Sequence, residues 1–286
     1  TGSQLWNAFY RASQHYYVPD HERILIQREG PRMAQQSDAD TVVDFGVGSD
    51  AFQSKVLPIL SGLPQVRLYS GIDTAQDFLK QVAQEVANDR PDLKVELHHA
   101  DYHASPLPLG GRKRLGLLFG CSATNHDMME GQDFPEEAVI QSLRDFRHHL
   151  GPGSEMLLTY DENGNEESVR ACYDHPDCQR HAMGILEDIA RELQRGGDFD
   201  PQAWTYKAIW NPELRILHHC IVASKAQTLL MDDREYAFQR GERFVVINNF
   251  KLSRERFDHL CSEAGFSLRQ LHGYQTLRLQ HLAIDS

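Results

Sequence analysis

Ten residues constrain this chain more than any others: Thr41-Val42-Val43-Asp44-Phe45-Gly46-Val47-Gly48-Ser49-Asp50. Thr41 to Phe45 is mostly β-branched or aromatic, which suits a buried strand. Gly46 and Gly48 then allow positive φ and a close backbone approach by a ligand. From Ala51 to Leu60 the apolar residues Phe52, Val56, Ile59 and Leu60 recur at helical spacing. A strand, a glycine turn and a helix N-terminus in that order is where α/β proteins bind nucleotides. Ala51 stands where the dinucleotide fingerprint has its third glycine, and no Walker pattern follows. The turn on its own also fits an ordinary strand-to-helix connection.

Further along, strand and helix patterns alternate. Val66 to Asp73 reads as a second strand, and its terminal acid lies where nucleotide-binding α/β folds place a carboxylate for ribose hydroxyls. Thr74 to Asn88 has a helical apolar face of Phe78, Leu79, Val82 and Val86. Val95 to Asp101 is a third strand, ending in Asp101-Tyr102. A carboxylate beside an aromatic suits an adenine, and a loop or cap role fits equally well. Leu115 to Phe119 is fully apolar, as a central parallel strand should be, and Gly120-Cys121-Ser122-Ala123-Thr124-Asn125 follows at the sheet's carboxyl edge. Glu136 to His149 reads as a helix and Glu155 to Tyr160 as a fifth strand ending at Asp161. The expected class is α/β, a doubly wound and mostly parallel sheet.

After Asp161 the pattern changes. Glu166 to Leu193 is largely helical and is stopped by Gly196-Gly197-Asp198. Trp204–Trp210, Leu214–Ala223 and Phe244–Phe250 read as strands, and Arg254–Glu263 as a helix stopped by Gly265. Leu268–Leu271 and Leu277–Leu282 are final strand candidates. Before the first strand, Gly2 to Gln27 has helical spacing, with Leu5, Trp6, Phe9 and Tyr10 apolar, Tyr16-Tyr17 adjacent and a break expected at Pro19. The chain starts at Thr1 without methionine, so an earlier start or a longer parent polypeptide is expected.

The net charge of −12 leaves no basic stripe to replace the counterions of a nucleic acid. No apolar run approaches the roughly 20 residues of a membrane span, and no signal peptide is visible. Five scattered cysteines, an odd number in an acidic chain of 286 residues, suggest reduced thiols and a cytoplasmic setting. Cys172, His175, Cys178 and His181 recur every third residue. On one helix such a series drifts around the axis, and Pro176 interrupts it, so no metal site is expected. The doublets His98-His99, His148-His149 and His218-His219 are read as solvent-facing. There is no nucleophile elbow. Cys121 is better explained by close approach of a cofactor than by nucleophilic chemistry.

An acid at a strand end followed by G-x-G is also the usual look of an S-adenosylmethionine (SAM) site. Taken in order, the segments resemble the ergothioneine-pathway histidine N-alpha-methyltransferase family, whose fungal relatives act on tryptophan derivatives. The resemblance rests on Gly2-Ser3-Gln4-Leu5, Tyr16-Tyr17 with Ile24-Leu25, Val43 to Gly48, Asp101-Tyr102 and Gly110-Gly111-Arg112. It continues through Phe119 to Asn125, Val169-Arg170-Ala171 with Tyr173-Asp174, Asp198-Phe199-Asp200, Trp210-Asn211 and Glu263-Ala264-Gly265-Phe266. It implies a Rossmann-like methyltransferase domain, residues 31–162 and 252–286, and a substrate-binding domain, residues 1–30 and 163–251. It implies SAM as cofactor, held by Asp44, Gly46, Gly48, Asp73, Asp101, Tyr102 and Gly120. Asn125 and Tyr173 stand where the family holds its substrate's carboxylate and amine, and either Tyr16 or Tyr17 stands where a tyrosine meets the side chain.

The resemblance has departures. Ile247 and Asn249 occupy the positions of a glutamate and a serine that grip imidazole. Gly71 replaces an acid after strand two, Phe52 replaces a lysine, and a family tyrosine would precede Thr1. An apolar residue cannot pair with an imidazole N–H, so histidine is not the expected substrate. The resemblance implies methyl transfer to the amine of a small amino acid or an amino-acid-derived aromatic compound, in secondary metabolism, with Asn125 and Tyr173 orienting the substrate. Two alternatives stay open: a fold that kept binding and lost catalysis, and methyl transfer to an oxygen or ring nitrogen. The sequence does not state the oligomeric form.

Overall fold

A computed structural model describes residues 9, 15–49, 51–103, 107–129, 131–192, 199–231 and 234–285. The sequence features at Gly2-Ser3-Gln4-Leu5, Trp6, Tyr10 and Gly196-Gly197-Asp198 lie outside them. The chain divides into two compact units. One comprises residues 18–124, 136–163 and 252–286, the other residues 1–17, 125–135 and 164–251.

The larger unit is built on a sheet. Its strands are β1 (Thr41–Phe45), β2 (Leu68–Asp73), β3 (Lys94–His99), β4 (Arg114–Leu118) and β5 (Glu155–Asp161). Among the described residues seven strands pair in the order β11-β12-β5-β4-β1-β2-β3, with β11 (Phe266–Tyr274) and β12 (Leu277–Ile284) forming the antiparallel end. β1 lies between β2 and β4, parallel to both. The chain therefore winds outward from β1 in one direction to β3, then returns to β4 and goes the other way. The carboxyl ends of β1 and β4 flank the switch point, where open α/β sheets hold ligands. β1 and β5 are buried at every residue, as central strands covered on both faces must be.

The helices of this unit follow the apolar spacing. α1 is Val18–Ala34, and α2 is a π-helical turn Phe52–Val56 running into Leu57–Ser61. α3 is Gln76–Asp89, α4 is Glu136–Leu150 and α7 is Arg254–Glu263. α3 buries Leu79, Val82 and Val86, and α4 buries Val139, Leu143, Phe146 and Leu150. Residues 15–17 are not helical, so the expected break falls just ahead of Pro19. The proline sits in the first turn of α1, where a missing N–H costs nothing. Residues 18–30, assigned from sequence to the substrate-binding domain, pack here because α1 rests on α2, β11 and β12. The approach of α1 to α2 needs glycine: a Cβ at Gly62 would lie 2.3 Å from the Pro31 carbonyl oxygen.

One buried carboxylate joins these elements. Glu22 of α1, with no exposure, accepts from Lys55 Nζ in the π-helical turn, from the Thr159 hydroxyl of β5 and, at 2.6 Å, from the Gly120 N–H after β4.

The smaller unit contains α5 (Glu166–Tyr173), α6 (Pro176–Glu192) and a sheet in the order β10-β7-β6. β6 is Trp204–Asn211, β7 is Ile216–Ala223 and β10 is Arg243–Phe250. The helical stretch expected from Glu166 onward is split at Asp174, and Pro176 opens the second helix. Asn165 caps α5 by accepting from the Ser168 N–H at 2.9 Å. A hairpin of β8 (Gln227–Met231) and β9 (Arg234–Phe238) went unread, because its residues are largely exposed and carry little alternation. β7 is central and covered on both faces. His218 and His219 are therefore both buried, as is His149 on α4, against the expectation that these doublets face solvent. All five cysteines are buried, and none of them is in a disulfide. Among the described residues no helix is long and apolar enough to cross a membrane.

Removing one member of a buried ion pair strands the other's charge, so Lys55→Met should cost about 3–5 kcal/mol in urea unfolding. Glu22→Met with Lys55→Met should recover part of that loss but not all, since the Gly120 N–H and Thr159 hydroxyl lose their acceptor. An unchanged midpoint in Lys55→Met would show that the pair is not a buried strut.

Candidate active site

In the sheet unit, the turn after β1 is open on its ligand side. Gly46 (φ +80°) donates to the Ile72 carbonyl at 2.8 Å, and Gly48 (φ +60°) donates to Asp73 Oδ2 at 3.2 Å. Asp73 Oδ1 accepts from the Ala75 N–H at 2.7 Å. This carboxylate ties the glycine turn to the end of β2 and keeps acceptor capacity for a vicinal diol. A Cβ on Gly46 would stand 4.0 Å from Tyr102, filling the space between turn and ring. The Tyr102 ring packs edge-on against Phe45 at 5.9 Å, and its carbonyl meets His149 Nε2 at 2.7 Å. Asp101 is exposed and accepts from the His103 N–H at 2.8 Å, the loop role weighed above. After β4, Gly120 has φ +79° and Cys121 φ 58°, a left-handed pair at the sheet edge.

Asp44 sits beneath this turn, 4% exposed, and accepts from the Tyr69 hydroxyl at 2.7 Å. Burial pushes its carboxyl up to about 6, against the pull of the Tyr69 hydrogen bond and Lys55; Asp73 adds to the rise. Gly71 is Asp44's register partner on β2. A Cβ there would lie 3.0 Å from Val47 and 3.2 Å from both Leu97 and Tyr69. An acid at this position would be crowded and would set a second carboxylate beside a buried one, so the acid of this edge is Asp73. Phe52 is buried against Tyr69, and the buried cation of the same turn is Lys55, three residues on. The widening to a π-helix puts Lys55 on the inner face. Glu22 and Lys55 were missed in the sequence, where the only signal was a charged residue on each of two apolar helix faces.

In the smaller unit, Tyr173 is 2% exposed and packs against Tyr16 at 5.5 Å and Phe9 at 6.2 Å; Tyr17 joins the same cluster. Lys251 Nζ lies 5.7 Å over the Tyr173 ring. Asn125 is exposed, and its Oδ1 accepts from Asn249 Nδ2 at 3.3 Å. Ile247 is half-buried and apolar. A cavity of about 650 Å³ in this unit is lined by Glu166, Glu167, Arg170, Asp174, Tyr206 and Lys207, and neither Asn125 nor Tyr173 lines it. Among the described residues no three metal-ligating side chains gather.

The raised Asp44 pKa carries a sign. The folded state holds this proton more tightly than the unfolded chain, so Asp44 favours folding at low pH, and that contribution is lost as pH rises from about 4 through 6. Asp44→Asn should therefore be more stable than the parent at pH 7.5, by roughly 3 kcal/mol and with a higher melting temperature, and match it near pH 4. Thermal melts at both pH values check this; a variant less stable at pH 7.5 would contradict it.

Residues 1–281 match the family described as "histidine-specific methyltransferase, SAM-dependent". The N-methyltransferase fsqC of Aspergillus fumigatus is 25% identical over 275 residues, which cover 92% of this chain and 71% of that protein. The histidine N-alpha-methyltransferase of Mycobacterium tuberculosis is 25% identical over 214 residues, 73% of this chain and 63% of that protein. The chain thus spans only part of the length of either relative. A solved SAM-dependent methyltransferase from Clostridium acetobutylicum shares the fold, with a TM-score of 0.51 at 9% identity over 98% of this chain and 99% of that one. The chain belongs to this SAM-dependent methyltransferase family, with SAM as its methyl donor.

Proposed function

We propose that this chain methylates the amine of an amino-acid-like aromatic substrate other than histidine. On the cofactor side, Gly46, Gly48 and Gly120 admit the ligand to the backbone. Asp73 takes the ribose hydroxyls, Tyr102 and Asp101 face the adenine, and Asp44 lies under the methionine portion. SAM supplies a sulfonium methyl that an unprotonated amine can displace.

The observation that carries the substrate reading is the joining, within one unit, of the Tyr16–Tyr173 ring pair and the Asn249-braced Asn125 amide. The rings offer an apolar wall that excludes water, and Asn125 and Tyr173 orient the polar end of the substrate. Lys251, 3% exposed and over the Tyr173 ring, disfavours a second cation beside it, which helps keep the amine unprotonated and reactive. Chemistry of this kind needs positioning more than a dedicated base. Ile247 offers no acceptor to an imidazole N–H, and Asn249's amide oxygen is 2.7 Å from His219 Nε2. Ile247 thus leaves the pair that reads imidazole in the family resemblance one acceptor short. Five buried cysteines, none of them in a disulfide, support a reducing, cytoplasmic setting.

Asn125→Ala should lower kcat/KM for methyl transfer about 100-fold, at the cost of one hydrogen bond to a charged group. Affinity for S-adenosylhomocysteine, measured by calorimetry, should be unchanged. An unaffected rate would remove Asn125 from the substrate site.

A further inference from the structure

Two adjacent histidines on β7 and two adjacent asparagines on β10 form a pattern that the methyl-transfer chemistry leaves unused. Neighbouring residues on a strand point to opposite faces, so the doublets make two separate pairs. On one face His218 Nδ1 lies 2.6 Å from Asn248 Oδ1; on the other His219 Nε2 lies 2.7 Å from Asn249 Oδ1. Each asparagine then spends its NH2 group on the segment that carries Asn125. Asn248 Nδ2 donates to the His126 and Met128 carbonyls, both at 3.0 Å, and Asn249 Nδ2 donates to Asn125 Oδ1 at 3.3 Å.

The protons follow from what each atom can do. A carbonyl oxygen only accepts, so Asn248 must turn its Nδ2 to the two carbonyls and its Oδ1 to His218. His218 therefore carries its proton on Nδ1. In the second pair Asn249 Oδ1 accepts from His219 Nε2–H, which leaves His219 Nδ1 bare, and the Tyr206 hydroxyl donates to it at 2.8 Å. Every donor in this second series points the same way, from Tyr206 to His219, to Asn249, to Asn125. With its Oδ1 taken, Asn125 presents Nδ2–H outward. Burial pushes the His219 imidazole down to about 4, so at neutral pH it is uncharged, with the one donor and one acceptor that the series requires.

We propose that His218–Asn248 and His219–Asn249 are positioning residues for Asn125: the first pair holds the backbone of its segment, and the second holds its amide with Nδ2 outward, selecting substrates that offer a carboxylate. This rests on the reading of Asn125 as a substrate contact. It also takes Asn249 out of direct substrate binding and makes it the brace behind Asn125.

The test titrates the chain, saturated with S-adenosylhomocysteine, with tryptophan, tyrosine and phenylalanine and with their decarboxylated amines tryptamine, tyramine and phenethylamine. At least one amino acid should bind about tenfold or more tighter than its own amine. His219→Phe and Asn249→Leu should shrink that ratio to within about threefold, because an unbraced amide turns freely. His219→Gln, which keeps a donor toward Asn249, should restore most of it. Affinity for S-adenosylhomocysteine and the melting temperature of His219→Gln report that the fold is intact. The proposal is overturned if no amino acid outbinds its amine, or if the ratio survives in both Asn249→Leu and His219→Phe. Loss of the ratio in Asn125→Ala together with its survival in those two variants would leave the Asn125 reading standing and remove the brace alone.

Discussion

The Glu22 carboxylate is the point on which the sheet unit depends. It has no exposure and accepts from Lys55, Thr159 and the Gly120 N–H, so it joins α1, the π-helical turn, β5 and the turn after β4. A buried carboxylate is expensive unless its lone pairs are met by charge and hydrogen bonds. Two of the three partners, Lys55 and the Gly120 N–H, belong to segments that follow β1 and β4, the strands flanking the switch point. The left-handed turn at Gly120 is therefore held by a side chain from a helix 98 residues away in sequence, and its geometry does not rely on its own sequence alone.

The two acids at the glycine turn differ in burial. Asp44 is buried beneath the glycine turn with its pKa raised, a state that costs stability at neutral pH and is common where function requires the charge. Asp73 is less buried and already ties the glycine turn to β2 through Gly48. Gly71, which in the family resemblance marks a missing acid, is explained by space, since Val47, Leu97 and Tyr69 close around it. In the other unit the same economy appears in neutral form. Aromatic rings gather about Tyr173, and a series of hydroxyl, imidazole and amide groups runs from Tyr206 through His219 and Asn249 to Asn125.

Much of this was legible in the sequence. The run Thr41 to Phe45 is a strand at those boundaries because β-branched residues followed by two glycines leave the backbone few options. The α3 face followed from spacing, which placed Leu79, Val82 and Val86 on its buried side. What could not be read were interactions between distant segments. His218-His219 looked solvent-facing because one residue of any strand doublet normally is, and only the central place of β7 buries both. The meeting of that doublet with Asn248-Asn249 depends on antiparallel register across 30 residues. Lys55 needed the π-helical widening of α2 to face inward.

The proposed reaction is methylation of an amine on an aromatic amino acid by a member of a family described as histidine-specific. The most direct measurement supplies SAM carrying a deuterated methyl group to the chain with an equimolar mixture of histidine, tryptophan, tyrosine and phenylalanine. Fragmentation of the products by mass spectrometry then locates the label. Label is expected on the α-amine of an aromatic amino acid. Label on histidine in preference, or on an oxygen or ring nitrogen, would contradict the proposed reaction.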